Sequence, residues 1–176
     1  PDAAPSTVMY QREVYADQMA ESVIQSKAAL GLLVDGSGEA AIIFNDKGQV
    51  LPEERHWPLL TWALAKTGRG QAGRWVVPVA APQSVDHLAE KYGGNVLRTP
   101  NTARAVFQAA GSGVKEDLAL LHPAFDALSF VALLLQLIKL EGRPLSQLEA
   151  AFPVSRRMEV EVPCAWENKG KVMHSL

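Results

Sequence analysis

The chain has 176 residues, a net charge of -2 and a hydrophobic fraction of 48%, values typical of one soluble globular domain. A sequence pI of about 6.1 excludes a strongly basic nucleic-acid binder. The single cysteine, Cys164, excludes an intrachain disulfide. No uncharged apolar run is long enough to span a membrane. No secretory signal is visible after Pro1, so the expected location is the cytoplasm.

The first third of the chain predicts a helix followed by a β-hairpin. Apolar residues recur at helical spacing over residues 7–27. Two short apolar runs, 30–34 and 40–44, flank the glycine-rich loop Asp35-Gly36-Ser37-Gly38-Glu39, and a returning edge follows the turn Asn45-Asp46-Lys47-Gly48. Short apolar runs separated by glycine-rich turns indicate paired strands.

The middle of the chain alternates helices with strands. Pro52-Glu53-Glu54 opens a helix that stops at Gly68, because proline and acidic residues suit a first helical turn. Then follow a strand, a helix, a strand and a helix at residues 75–79, 83–92, 95–98 and 102–110. This alternation predicts βαβ units and hence a three-layer α/β/α fold around a mostly parallel mixed sheet.

The last third is dominated by one long helix. Residues 123–141 are apolar nearly all round, so this helix is expected to be buried in the core. Asp126 is expected in its first turn, and Gly142-Arg143-Pro144 should end it. A short helix should begin at Leu145, and further strands are expected at residues 118–121 and 158–162.

Two loops could carry chemistry. Asp35 and Glu39 could hold a hard cation through oxygen, although two carboxylates alone hold Mg²⁺ poorly and a plain hairpin turn explains the same residues. Arg98-Thr99 ends a strand just before a helix that Asn101 or Thr102 should cap, an arrangement that favours phosphate. The alternative is that Arg98 is a solvated residue at a strand end. His122 could contact a ligand or simply pack, and Cys164 has no neighbour that would make it a nucleophile.

The order of several motifs resembles the α-D-phosphohexomutases, the phosphomannomutase and phosphoglucomutase family, over residues 28–176. Asp35-Gly36-Ser37-Gly38-Glu39 stands where the family has its Asp-Gly-Asp-Gly-Asp-Arg metal loop. Five later segments are similar to the third domain and the start of the fourth: residues 76–79 and 92–99 to its strand-helix-strand core, residues 122–128 to the start of its long helix, residues 142–148 to the turn after that helix, and residues 162–173 to the entry to the fourth domain. The last segment is most similar to bacterial proteins in which a mannose-1-phosphate guanylyltransferase-like part is fused to a phosphomannomutase-like part.

The resemblance implies a division of the chain and a set of site residues. Residues 1–29 would be a helix left from a preceding domain or linker, residues 30–153 a third-domain-like α/β domain, and residues 154–176 a linker with the start of a fourth-domain-like segment. A hexose phosphate would bind in the parent protein, and Mg²⁺ would be held weakly or not at all by Asp35 and Glu39. The implied substrate-binding residues are Arg98, Thr99, Lys115, Glu116 and His122.

The departures from the family pattern predict that this chain alone is inactive. Family members transfer a phosphoryl group between a serine and a phosphosugar, with Mg²⁺ on three loop aspartates. Here Ser37 and Glu39 replace two of them, and residues 111–117 lack the Glu-x-Ser pair of the sugar loop. The serine segment and the phosphate loop of the outer domains are not found in this sequence. The alternative function is a non-catalytic regulatory or oligomerisation module on the same fold, with a homo-oligomer or the missing domains as partners.

Overall fold

A computed structural model of the chain describes residues 7–34, 41–68, 74–111, 126–153 and 163–175. Within these residues no helix is both long and apolar enough to cross a bilayer. The helices and strands follow one another in this order: α1 (Thr7–Ser26), β1 (Gly31–Val34), β2 (Ala41–Phe44), α2 (Glu53–Thr67), β3 (Arg74–Pro78), α3 (Ser84–Lys91), β4 (Asn95–Thr99), α4 (Ala103–Gly111), α5 (Ala127–Glu141), α6 (Leu145–Glu149) and α7 (Trp166–Ser175).

The predicted hairpin is confirmed, and α1 packs directly on it. β1 and β2 pair antiparallel, with Gly31 opposite Phe44, and Val50 bridges back to Phe44. A Cβ atom on Gly31 would lie 2.5 Å from Cγ2 of Val23, a core residue of α1. The absence of a side chain on Gly31 therefore allows α1 to lie close against the hairpin.

The turn that follows β2 is bound to α6, far along the chain. Oδ1 of Asp46 accepts the backbone N–H of Ser146 at 2.8 Å, and Oδ2 accepts its hydroxyl at 3.0 Å. The buried Asn45 donates from Nδ2 to Oε1 of Glu149 at 2.6 Å. The turn thus serves as a docking point for the segment Gly142-Arg143-Pro144-Leu145-Ser146.

The central βαβ unit is also as predicted. β3 and β4 pair in parallel from Arg74 opposite Asn95 to Pro78 opposite Thr99, with α3 as the crossover. Among the described residues the strands form two separate two-stranded sheets, one parallel and one antiparallel. The α/β fold class is confirmed, while the strands expected at 118–121 and 158–162 lie outside the described residues.

The main core lies between α2, α5 and α6. Asp126 is the N-cap of α5, and its side chain accepts the backbone N–H of Ser129 at 2.9 Å. Gly142 ends α5 in the left-handed conformation, with φ of 63°. The side chains that fill this core come mostly from facing positions of the three helices: Leu59, Leu60, Ala63, Phe130, Leu134, Leu137, Leu145 and Leu148.

The expectation that α5 is buried on all sides is wrong. Leu128 and Leu135 are 63% and 45% exposed, and Leu140 is 55% exposed. The physical reason is that α2 and α6 cover only one side of α5, so its apolar composition did not specify how many neighbours would surround it. Residues 123–125, which were expected in this helix, lie outside the described residues.

Two polar groupings fasten the ends of α2. Near its start, Nη1 of Arg55 donates to the carbonyl oxygens of Phe152 at 2.5 Å and Pro153 at 2.7 Å. Near its end, Nζ of Lys66 lies 2.9 Å from Oε1 of Glu141, whose other oxygen lies 3.1 Å from Nη2 of Arg143. These contacts join α2 to the segments on both sides of α6.

Candidate functional site

The carboxyl ends of β3 and β4 meet at one edge because the strands are parallel. The loops that leave this edge are tied together by Oδ1 of Asn101, which accepts the backbone N–H of Ala80 at 3.2 Å. Oγ1 of Thr102 accepts the backbone N–H of Ala105 at 3.2 Å, so Thr102 is the residue that caps α4. In open α/β sheets this edge is where ligands bind.

Arg98 is held at this edge by three hydrogen bonds to its own protein. Nη1 donates to the carbonyl oxygen of Val79 at 3.1 Å and to that of Ala81 at 2.7 Å. Nη2 lies 2.5 Å from Oδ2 of Asp86, in the first turn of α3. These bonds fix the loop between β3 and α3 against β4.

The Arg98–Asp86 pair sets the electrostatics of the edge. The two side chains are 30% and 34% exposed, so water screens part of their attraction. A guanidinium has five N–H groups, and the three bonds described leave Nε and one hydrogen of Nη2 for other acceptors. A phosphate could accept hydrogen bonds from these two groups, but the nearby carboxylate of Asp86 would repel it.

Thr99, the other predicted site residue on β4, is only 7% exposed. Its hydroxyl oxygen lies 3.4 Å from the carbonyl oxygen of Val77 and 3.3 Å from that of Pro100. Its own carbonyl accepts the backbone N–H of Val79 at 2.7 Å. The side chain of Thr99 thus contacts the strand ends.

The remaining predicted site residues lie outside the described part of the chain: Asp35, Glu39, Lys115, Glu116 and His122. Of the predicted site residues, the structure describes Arg98 and Thr99, and both lie at this edge. Within the described ranges, no group of three histidine, cysteine, aspartate or glutamate side chains is placed to hold a metal ion.

Two residues of this edge were not singled out from the sequence. Asp86 is the partner of Arg98. Its position in the first turn of α3 is the only local signal in the sequence, and the helix dipole alone explains an acidic residue there. Arg104 lies exposed in the first turn of α4, close along the chain to the cap at Thr102. A basic residue in a first turn opposes the helix dipole and was a usable signal for an anion.

Burial also lowers the pKa of one histidine for which the sequence predicts no role. The ring of His56, on α2, packs at a tilt against that of Phe130 with ring centroids 5.4 Å apart, and its buried Nε2 has no hydrogen-bond partner among the described residues. Loss of hydration lowers the pKa of His56 below its ordinary 6.5, against the opposing effects of Glu53, the Leu51 backbone and Glu54. Burial therefore favours the neutral form of His56, which is half-buried beside the core.

Comparison with solved structures identifies the fold. A phosphoglucomutase/phosphomannomutase family protein from Burkholderia thailandensis superposes with a TM-score of 0.62 at 17% identity, over 80% of this chain and 33% of that chain. The chain matches no protein-family model. The fold is thus that of a phosphohexomutase domain.

Curated relatives lead to the same family. Phosphoglucosamine mutase from Solidesulfovibrio magneticus is 24% identical over 161 residues, which are 86% of this chain and 36% of the relative. The enzymes of the same name from Nitratidesulfovibrio vulgaris strain DP4 and Acetivibrio thermocellus are 25% and 23% identical, over 86% and 90% of this chain. The chain spans a little over a third of the length of these relatives. The similarity supports the phosphohexomutase family.

Proposed function

We propose that the chain is the third-domain-like part of a phosphohexomutase-type protein, and that it binds a hexose phosphate at the carboxyl edge of β3 and β4. The observation that carries the proposal is the similarity of 86% of this chain to a phosphoglucosamine mutase, on a phosphohexomutase domain fold. The edge supplies the guanidinium of Arg98 and the start of α4, two groups that favour a phosphate.

Within this proposal the site residues have different tasks. Arg98 and Lys115 supply positive charge for the phosphate, while Glu116 and His122 offer hydrogen bonds to the sugar. Thr99 contributes by fixing the strand end, since its hydroxyl is buried among backbone carbonyls. Because the relatives are phosphoglucosamine mutases, glucosamine phosphate is the first ligand to test. The fusion to a guanylyltransferase-like part stays a prediction from the sequence.

We further propose that Mg²⁺ binds this chain weakly or not at all. The donors would be Asp35 and Glu39, with the neutral hydroxyl of Ser37 between them. Mg²⁺ requires near-octahedral oxygen coordination and usually relies on substrate phosphates beside one or two carboxylates. This donor set does not fit a tightly held ion, so no step of the proposed function passes through the metal.

The chain alone should show no mutase turnover, since its metal loop and sugar loop both depart from the family pattern. Incubation of the chain with mannose 1-phosphate, a hexose bisphosphate primer and Mg²⁺ tests this. Measurable formation of the 6-phosphate contradicts it.

Calorimetric titration with glucosamine 6-phosphate tests the binding site. Asp86→Asn should tighten binding about two- to tenfold, because Arg98 loses a competing carboxylate, and Arg98→Ala should weaken it. Glu90→Gln removes an exposed carboxylate one turn further along α3 and is the matched control. An absence of heat from the unaltered chain contradicts the proposal, as does equal affinity of all four proteins.

A second candidate function is a non-catalytic assembly module in the cytoplasm. The uncovered leucines of α5 favour it, because exposed apolar patches on soluble domains commonly mark interaction surfaces.

A further inference from the structure

The exposed side of α5 carries a regular stripe of side chains. Leu128, Ala132, Leu135 and Lys139 are all exposed, and they are separated by four, three and four residues. At 3.6 residues per turn these positions fall within an arc of about 60°. We call them the α5 stripe. It lies opposite the buried side chains of Phe130, Leu134 and Leu137.

The spacing of the α5 stripe is that of a coiled-coil seam. Alternating steps of four and three residues keep a row of side chains facing a second helix. The described residues offer α2 and α6 as neighbours of α5, and both lie on its buried side. The stripe therefore has the pattern of a helix contact without a helix upon it in the described part of the chain.

We propose that the α5 stripe binds the α5 stripe of a second copy of this chain, antiparallel and about a twofold axis. In this register Ala132 lies opposite Leu135 of the second copy, and Leu128 lies opposite the aliphatic stem of Lys139. The small Ala132 then faces the large Leu135 in the two central layers, which allows the two helices to interdigitate there. A twofold pairing uses the same patch on both copies and closes without further growth.

The charges on α5 select the antiparallel arrangement. In a parallel pair, Lys139 would lie opposite Lys139 of the second copy and the two helix dipoles would be aligned. In the antiparallel pair the dipoles of the two helices oppose each other, and the two Lys139 side chains lie at opposite ends of the contact. Glu141, the other charge near this end of α5, is already bound to Lys66 and Arg143.

The length of α5 sets the strength to be expected. Its 15 residues extend over roughly 22 Å, so a contact through this helix alone is smaller than a standard interface. Association should be weak, in the micromolar range or above. The inference rests on the second candidate function, the assembly module, and is independent of whether the chain binds a sugar phosphate.

Sedimentation velocity of the full chain over a range of micromolar concentrations is the first test. The mass should rise from 19.0 kDa toward twice that value, and Leu135→Glu should hold it at the monomer value. Leu140→Glu is the matched control, because Leu140 is an equally exposed leucine on the same helix but outside the stripe. A chain that stays monomeric, or a dimer unaffected by Leu135→Glu, overturns the proposal.

Cysteine cross-linking tests the direction of pairing and keeps the proposal falsifiable if Leu135→Glu fails to fold. In a Cys164→Ala background, Leu128→Cys with Lys139→Cys should form disulfide-linked dimers. Leu128→Cys alone should not, because an antiparallel pair separates the two copies of residue 128 by about 16 Å. Dimers from Leu128→Cys alone, or none from the double variant, overturn the antiparallel arrangement. Calorimetry of Leu135→Glu with glucosamine 6-phosphate reports on the sugar-phosphate proposal separately.

Discussion

The carboxylate of Asp46 holds Ser146 at both its backbone amide and its hydroxyl, and so joins a hairpin turn to a helix 100 residues further along the chain. The N-cap of that helix is Pro144, which makes no capping bond from its side chain. Asp46 therefore supplies from a distant turn the acceptor that an N-cap residue usually supplies locally.

Removal of this acceptor should weaken the fold measurably. Asp46→Ala should lower the free energy of unfolding by about 1–2 kcal/mol, the usual cost of losing a cap and leaving a partly buried amide without an acceptor. Ser146→Ala should cost less, because the backbone bond is retained. Urea denaturation measures both, and Lys47→Ala, at an exposed neighbour in the same turn, is the control. An Asp46→Ala effect no larger than that of Lys47→Ala would refute the capping role.

The bonds of Arg98 should contribute to stability whether or not a ligand binds. Arg98→Ala leaves the carbonyl oxygens of Val79 and Ala81 without their donor, so we expect a loss of about 1–2 kcal/mol. Asp86→Asn should cost no more than about 1 kcal/mol, since the ion pair is partly exposed. Arg104→Ala, at an exposed arginine on the next helix, should be nearly neutral. Equal stability of all three variants in urea would contradict this account.

Stability should fall as the pH is lowered through the ordinary pKa of histidine. Burial lowers the pKa of His56 below 6.5 in the folded chain. Below pH 6.5 the unfolded chain therefore binds a proton that the folded chain refuses, and the free energy of unfolding decreases until the pH reaches the folded pKa. His56→Gln should flatten this dependence, whereas His87→Gln, at an exposed histidine, should not.

Thermal unfolding between about pH 5 and 7.5 measures the effect of His56. The hydrogen bond from Lys66 lowers the pKa of Glu141 below its usual 4.5 despite the opposing effect of burial. The stability that Glu141 contributes is present above pH 4.5 and is lost as the pH falls through its lowered pKa, so its effect begins at a lower pH than that of His56. A flat profile for the unaltered chain from pH 7.5 to 5 would contradict the burial of a neutral His56.

A methyl group at residue 31 should push α1 away from the hairpin. Gly31→Ala places a carbon 2.5 Å from Cγ2 of Val23, and we expect a loss of about 1–3 kcal/mol. Gly170→Ala is the matched control, because no atom of the described residues lies within 4 Å of the position that its Cβ would take. This variant should stabilise α7, since alanine is more favourable than glycine inside a helix by about 1 kcal/mol. Urea denaturation should show opposite signs for the two variants. A neutral Gly31→Ala would mean that α1 does not pack closely on β1.

The elements that the sequence predicts well are those whose signals are local. Pro52 before α2, Thr102 before α4 and Gly142 after α5 lie where the structure places the helix ends. The surroundings of α5 could not be predicted in this way, because a helix rich in leucine has the same composition whether one side or all sides are covered. Coverage depends on which helices fold back on it, a long-range property.

The candidate site shows the same division. The position of Arg98 at the end of a strand predicts a phosphate-binding residue. The sequence does not show that Asp86 and two loop carbonyls accept three of its hydrogen bonds. The bond between Asp46 and Ser146 was equally hidden, since nothing local in either segment points to the other. Contacts between residues that are distant in sequence cannot be predicted from local sequence patterns.

Arg55 binds the backbone carbonyls of Phe152 and Pro153, and so attaches the chain that follows α6 to the first turn of α2. Tension applied beyond Pro153 would reach the guanidinium before it reached the leucines of the core. The first turn of α2 would share that load with Phe152, whose ring packs edge-on against Trp62 in the main core.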